Sequence, residues 1–109
     1  MAANVGGSGP AVLTVGTLEN KLSNDLNLSD RKDWFGSGTY LPVVPAKGSA
    51  DFKQDADSQA GCSKGGVVYT LQNGIKWVVA WSNMKNERNK VYYDTTDTDI
   101  HWSTVESSL

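Results

Sequence analysis

Three features of the sequence predict an all-β fold: a single antiparallel β-sandwich of about seven or eight short strands, with no long helix. The stretch Lys64–Asp94 holds the densest apolar sequence, rich in Val, Tyr and Trp, around the dipeptide Asn73-Gly74. Ser49–Asp57 alternates with a period of two. Turn-forming Gly, Pro, Asn and Asp recur at close spacing, and no long stretch keeps a helical repeat.

Taken in order, residues 1–10 are Gly-rich linker chemistry and residues 11–109 form the β-sandwich domain. Ala11–Leu18 is rich in Val, Leu and Thr and reads as the first strand, closed by a polar turn at Glu19–Lys21. In Leu22–Asp30, Leu22, Leu26 and Leu28 occupy even positions, which suits a half-buried strand better than a short helix interrupted by Asn and Ser. Trp34-Phe35 ends a strand at the Gly36-Ser37-Gly38 turn. Pro42 and Pro45 forbid a central strand around Tyr40–Val44.

Ser49–Asp57 places Ala50, Phe52, Gln54 and Ala56 on one face and Asp51, Lys53, Asp55 and Asp57 on the other. Ser58–Gly65 reads as a loop. Asn73-Gly74 predicts a two-residue type I′ hairpin turn, which sets Gln72 against Ile75, Thr70 against Trp77, Val68 against Val79 and Gly66 against Trp81. On that register Val67, Tyr69, Leu71, Val78 and Ala80 share one face, and Trp77 and Trp81 the other. The two indoles are either core or a partly exposed aromatic platform. Asn83–Asn89 is a polar loop, Lys90–Asp94 a strand, Thr95–Asp99 an acidic turn, and Ile100–Leu109 a last strand in preference to a short helix.

Composition narrows the function. The chain has 109 residues and a formal charge of −2, which argues against nucleic acid held by a basic face and against avid binding to anionic membranes. No signal peptide and no membrane-spanning run is seen, so the expected location is cytoplasmic. Cys62 is the one cysteine and reads as a loop thiol; a disulfide framework and a Cys-type zinc site are excluded. His101 is the one histidine, and a Cys62–His101 pair has no supporting motif. There is no phosphate loop. Asp94, Asp97 and Asp99 supply oxygen ligands in the manner of a calcium loop, yet lack the Gly and terminal Glu of an EF-hand, so a solvated turn is the preferred reading. No cofactor and no enzymatic activity are expected.

The runs Gly65–Tyr69, Trp77–Asn83 and Asn89–Tyr92 resemble the plant jasmonate-induced protein family, small stress- and defence-associated proteins. The layout of Val12–Leu22, Ser37-Gly38-Thr39 and Gly66–Ser82 is also distantly similar to the actinoporin-like β-sandwich of pore-forming cytolysins and certain fungal lectins. That second likeness implies headgroup-contacting positions near Ser37, Val67 and Ser82, while the cytolysins' tyrosine cluster for phosphocholine is reduced here to Tyr92-Tyr93. Met1–Pro10 has no apolar helical face, so pore formation is not implied. The expected function is a non-catalytic stress- or defence-associated module that recognises a glycan or lipid headgroup through Trp77 and Trp81 or through Ser37 and Ser82. The alternative is a self-assembling or protein–protein interaction sandwich whose aromatic face forms a homo-oligomer interface.

Overall fold

The computed structural model describes residues 2–7, 13–57, 61–71, 73–84 and 87–109. The order is β1 (Ala2–Gly7), β2 (Leu13–Glu19), β3 (Leu26–Phe35), β4 (Ser37–Thr39), β5 (Val43–Val44), β6 (Ser49–Asp55), β7 (Cys62–Thr70), β8 (Lys76–Met84), β9 (Lys90–Thr96) and α1 (Trp102–Ser107). Two antiparallel sheets result, one ordered β1-β2-β6-β4 and the other β5-β3-β7-β8-β9. The all-β sandwich is therefore the fold. No described helix is long and apolar enough to cross a membrane.

The period of two in β6 does what its sequence dictates. Ala50, Phe52 and Gln54 are buried, and Ser49, Asp51, Lys53 and Asp55 face water. Ala2–Gly7, expected as linker, pairs antiparallel with β2, Ala2 opposite Glu19 and Gly7 opposite Thr14. The expected strand start at Ala11 and parts of the two polar loops, 58–60 and 85–86, lie outside the described residues.

Two β-bulges shape β3. Its pairing with β7 shifts between Leu28 and Asp30 and again between Asp33 and Phe35. An extra residue reverses which face the following side chains take. The even-numbered pattern of Leu26 and Leu28 therefore stops at Ser29, whose hydroxyl donates to the Val68 carbonyl at 3.1 Å. Beyond the bulge Arg31 and Asp33 lie opposite Val67 and Gly65 on the inner face. Leu22 belongs to the preceding bend and not to the strand.

The hairpin register differs by one residue from the two-residue turn. Leu71 N–H donates to Ile75 O at 2.8 Å and Gly74 N–H to Leu71 O at 3.0 Å, which leaves a three-residue connection. Gly74 carries the positive φ of +87°, while Asn73 does not have one. This is a turn followed by a left-handed glycine bulge. Tyr69 then faces Trp77, Val67 faces Val79 and Gly65 faces Trp81. One residue of slip moves both indoles onto the face of Val67 and Tyr69.

That shared face, with Leu18, Leu26, Tyr40, Val44, Ala50 and Phe52, is the main core. Phe52 and Trp81 stack at a ring-centroid distance of 4.6 Å, and Tyr40 leans on both. The opposite face of the hairpin, Val68, Val78 and Ala80, packs under Val105 of α1 with Trp34, Tyr92, Ile100, Trp102 and Leu109 around it. The C-terminal segment is thus a helix and not the expected strand. Trp102, Val105 and Leu109 recur at three- and four-residue spacing and meet that face together. Six residues make a marginal helix alone; packing and the Lys64–Glu106 ion pair at 2.9 Å hold it. Trp102 fits because Gly66 has no side chain: a Cβ there would lie 2.7 Å from the indole.

Candidate interaction surface

The residues singled out from the sequence separate into sealed and open groups. Trp77 is 2% exposed, Trp81 and Val67 are 0%, and Ser82 is 5%. The indoles are therefore core, and no aromatic platform forms from them. Trp81 Nε1 donates to Gln54 Oε1 at 2.7 Å, so even its polar atom is satisfied inside. Ser37 is exposed on β4, and Ser82 lies on β8 of the other sheet, so the structure does not join them into one edge. Tyr92 is half-buried against the α1 cluster, whereas Tyr93 is 70% exposed.

The acidic residues do not converge. Asp94 accepts from the Thr95 backbone N–H at 2.8 Å and from the Tyr92 hydroxyl at 3.4 Å. Asp99 sits 4.0 Å from Lys76 Nζ, and Asp97 is exposed in the bend that follows β9. Among the described residues no group of three His, Cys, Asp or Glu side chains is placed to hold a metal ion. Cys62, expected in a loop, is a β7 residue opposite Met84 and 1% exposed. Burial pushes its thiol pKa up, with Asp57 adding to the rise and Lys64 opposing it. His101 is exposed just before α1.

A buried polar network that sequence patterning did not reveal ties the sheets together. Gln54 Oε1 accepts from Ser63 Oγ at 2.5 Å as well as from Trp81. Its Nε2 donates to Asp33 Oδ1 at 2.8 Å and to Lys64 O at 3.1 Å. Thr14 donates to Ser63 at 2.7 Å and Tyr40 to Asp33 at 2.7 Å. Burial works to raise the Asp33 pKa, but hydrogen bonds from Tyr40, Arg31 and Gln54 win and hold it below the ordinary value. Tyr40 moves the other way, well above the usual phenol range, through burial and the Asp33 carboxylate. Every donor here has an acceptor, and the assembly reads as a fastener between sheets and not as a reactive centre. A shallow cleft of about 420 Å³ beside it in sequence, lined by Thr17, Asn20, Lys21, Lys47 and Ser49, is crossed by the Lys47 Nζ bond to Lys21 O at 2.8 Å.

The open feature is β9. Its alternation puts Val91, Tyr93 and Thr95 beside Trp81, Val79 and Trp77, on the inner side of the five-stranded sheet. Yet the smaller sheet packs mainly on β7 and β8, with β1 against β8 and β2 and β6 against β7. The inner face of β9 overhangs, leaving Val91 41% exposed and Tyr93 70%. Its far edge has no strand beside it among the described residues. The other three sheet edges are β5 with two residues between Pro42 and Pro45, β4 with three, and β1 with six ending in Gly6-Gly7. With seven residues and no Pro, β9 is the longest of the four edge strands. Sequence reasoning found the strand and Tyr93. It missed Val91 as an exposed position, because exposure here depends on the relative widths of two sheets.

No protein-family model matches the chain, and no curated protein matches it.

Proposed function

We propose that this protein is a non-catalytic interaction module that receives an extended polypeptide segment along the open edge of β9. The observation that carries the reading is the overhang: a seven-residue strand with no strand on its far edge among the described residues, whose inner face presents Val91 and Tyr93 to solvent. A free strand edge supplies a row of main-chain donors and acceptors, and alternate side chains on one face supply selectivity. Tyr93 suits such a contact, since it offers large apolar area at low entropy cost together with a hydroxyl. A glycan or headgroup platform on Trp77 and Trp81 has less support, because a ligand cannot stack on rings at 2% and 0% exposure. The family likeness suggests a stress or defence setting in which to seek the partner.

A display library of unstructured peptides panned on the purified protein tests this. Selected peptides should read as strands with alternating apolar residues, and Tyr93→Lys should weaken them by about tenfold, the scale of one interface anchor. Failure to select any peptide, or peptides indifferent to Tyr93→Lys and Val91→Lys, would remove the reading.

A further inference from the structure

We infer that one occupant of the β9 edge is β9 of a second copy of this chain, paired antiparallel about a two-fold axis through Tyr92. The inference rests on the edge-docking reading and gives it a partner and a register.

In a symmetric antiparallel pair, the residue at each position meets the one equally far on the other side of the axis. Centring on Tyr92 sets Val91 of each chain opposite Tyr93 of the other. These are the two large apolar side chains that β9 leaves exposed, and both lie on the inner face. The same register sets Lys90 opposite Asp94, twice by symmetry, on the outer face. Lys90 and Asp94 are exposed, and among the described residues Lys90 Nζ donates to the Leu109 carbonyl at 3.5 Å. Opposite charges directly across a strand pair attract and like charges repel. Centring one residue later, on Tyr93, places Val91 against Thr95 and Lys90 against Thr96, losing both the apolar and the charge match. Centring one residue earlier sets Lys90 against Tyr92 and brings Val91 against itself. The Tyr92 register alone of these three satisfies both faces of the strand.

The geometry of the overhang agrees. A two-fold axis perpendicular to the sheet keeps both four-stranded layers on the same side of one continuous ten-stranded sheet. Val91 and Tyr93 from both chains then line the gap between the two smaller sheets, where each is solvent-exposed in the single chain. The dimer covers the apolar overhang and satisfies the free edge in one contact.

Charge reversal separates this register from any other association. Light scattering or sedimentation across a concentration series into the high micromolar range should give the wild-type chain a mass rising to twice 11.7 kDa. Lys90→Asp sets aspartates opposite Asp94, and Asp94→Lys sets lysines opposite Lys90; each should shift the series to the monomer mass. The double variant Lys90→Asp/Asp94→Lys restores opposite charges and should regain the dimer, which also controls for misfolding of either single variant. A wild-type chain that stays monomeric throughout overturns the inference, and if strand-like peptides still bind at Tyr93, the edge-docking reading survives it. A dimer indifferent to both single reversals overturns it equally, since the contact then lies elsewhere.

Discussion

Both faces of the β7–β8 hairpin carry apolar residues, and the structure secures them differently. The inner face is covered by a whole sheet and carries the large side chains Tyr69, Trp77 and Trp81. Its polar atoms are tied by Gln54, whose side chain is sealed and hydrogen-bonded at both ends. The outer face carries Val68, Val78 and Ala80 and is covered by a single short helix and its flanking residues. The difference teaches that apolar content on both faces of a hairpin signals two covers without saying which is thick. Large rings with a satisfied amide go with a fixed second layer, and small aliphatic residues with a glycine notch go with a lightweight lid.

The largest effect should come from the thick side. Trp81→Ala removes a 0%-exposed indole that touches Tyr40 and Phe52 and strips Gln54 of one donor. Urea unfolding should register a loss of about 4 kcal/mol, within the range for buried aromatic truncations. A loss below roughly 1 kcal/mol would mean that the inner layer relaxes as freely as a surface. On the lid side, Gly66→Ala drives a methyl to 2.7 Å from the Trp102 ring. Overpacking of this kind costs about 2 kcal/mol. The ring is the mobile partner, so Trp102 fluorescence and near-ultraviolet circular dichroism should change more than the β-sheet signal. Unchanged Trp102 spectra would show that the helix does not sit in that notch.

The smallest effect is a pH dependence at the mouth of the inner face. Asp33 has its pKa held below the ordinary 3.8, so the unfolded chain binds a proton here at a higher pH than the folded one. The stabilisation is complete above that ordinary value and is lost as pH falls through the lower folded one. Asp33→Asn should therefore lower stability near neutrality and flatten the decline below about pH 4. Parallel acid limbs for the two proteins would show that the Asp33 hydrogen bonds contribute nothing specific to its charged form.

Much of the fold was legible because burial and pattern agree wherever one face is plainly wet. The β6 alternation is the clean case. Where the structure differs from the expectation, a fact beyond the hydrophobic pattern decides. The register of the β7–β8 hairpin turned on whether Asn73 or only Gly74 takes a positive φ, and that one-residue choice exchanged the faces of Trp77 and Trp81. The bulge at Ser29 hid the inward Arg31 and Asp33 behind a leucine pattern of opposite parity. Trp102, Val105 and Leu109 carry helical spacing, but the strand-like setting outweighed so short a signal. Of the candidate site, Tyr93 was legible as a residue, and the open edge around it was not, because edge status belongs to the assembled sheet.

One consequence concerns the thiol in β7. Cys62 lies at the end of the hairpin that pairs with Met84, 1% exposed and with its ionisation suppressed by burial. A thiol-directed reagent needs the thiolate and a path to it; the closed fold disfavours the first and blocks the second. Modification therefore waits for a local opening of the strand ends, and its rate under native conditions counts those openings. The chain carries its own clock for how often the hairpin breathes, with no cysteine to be engineered.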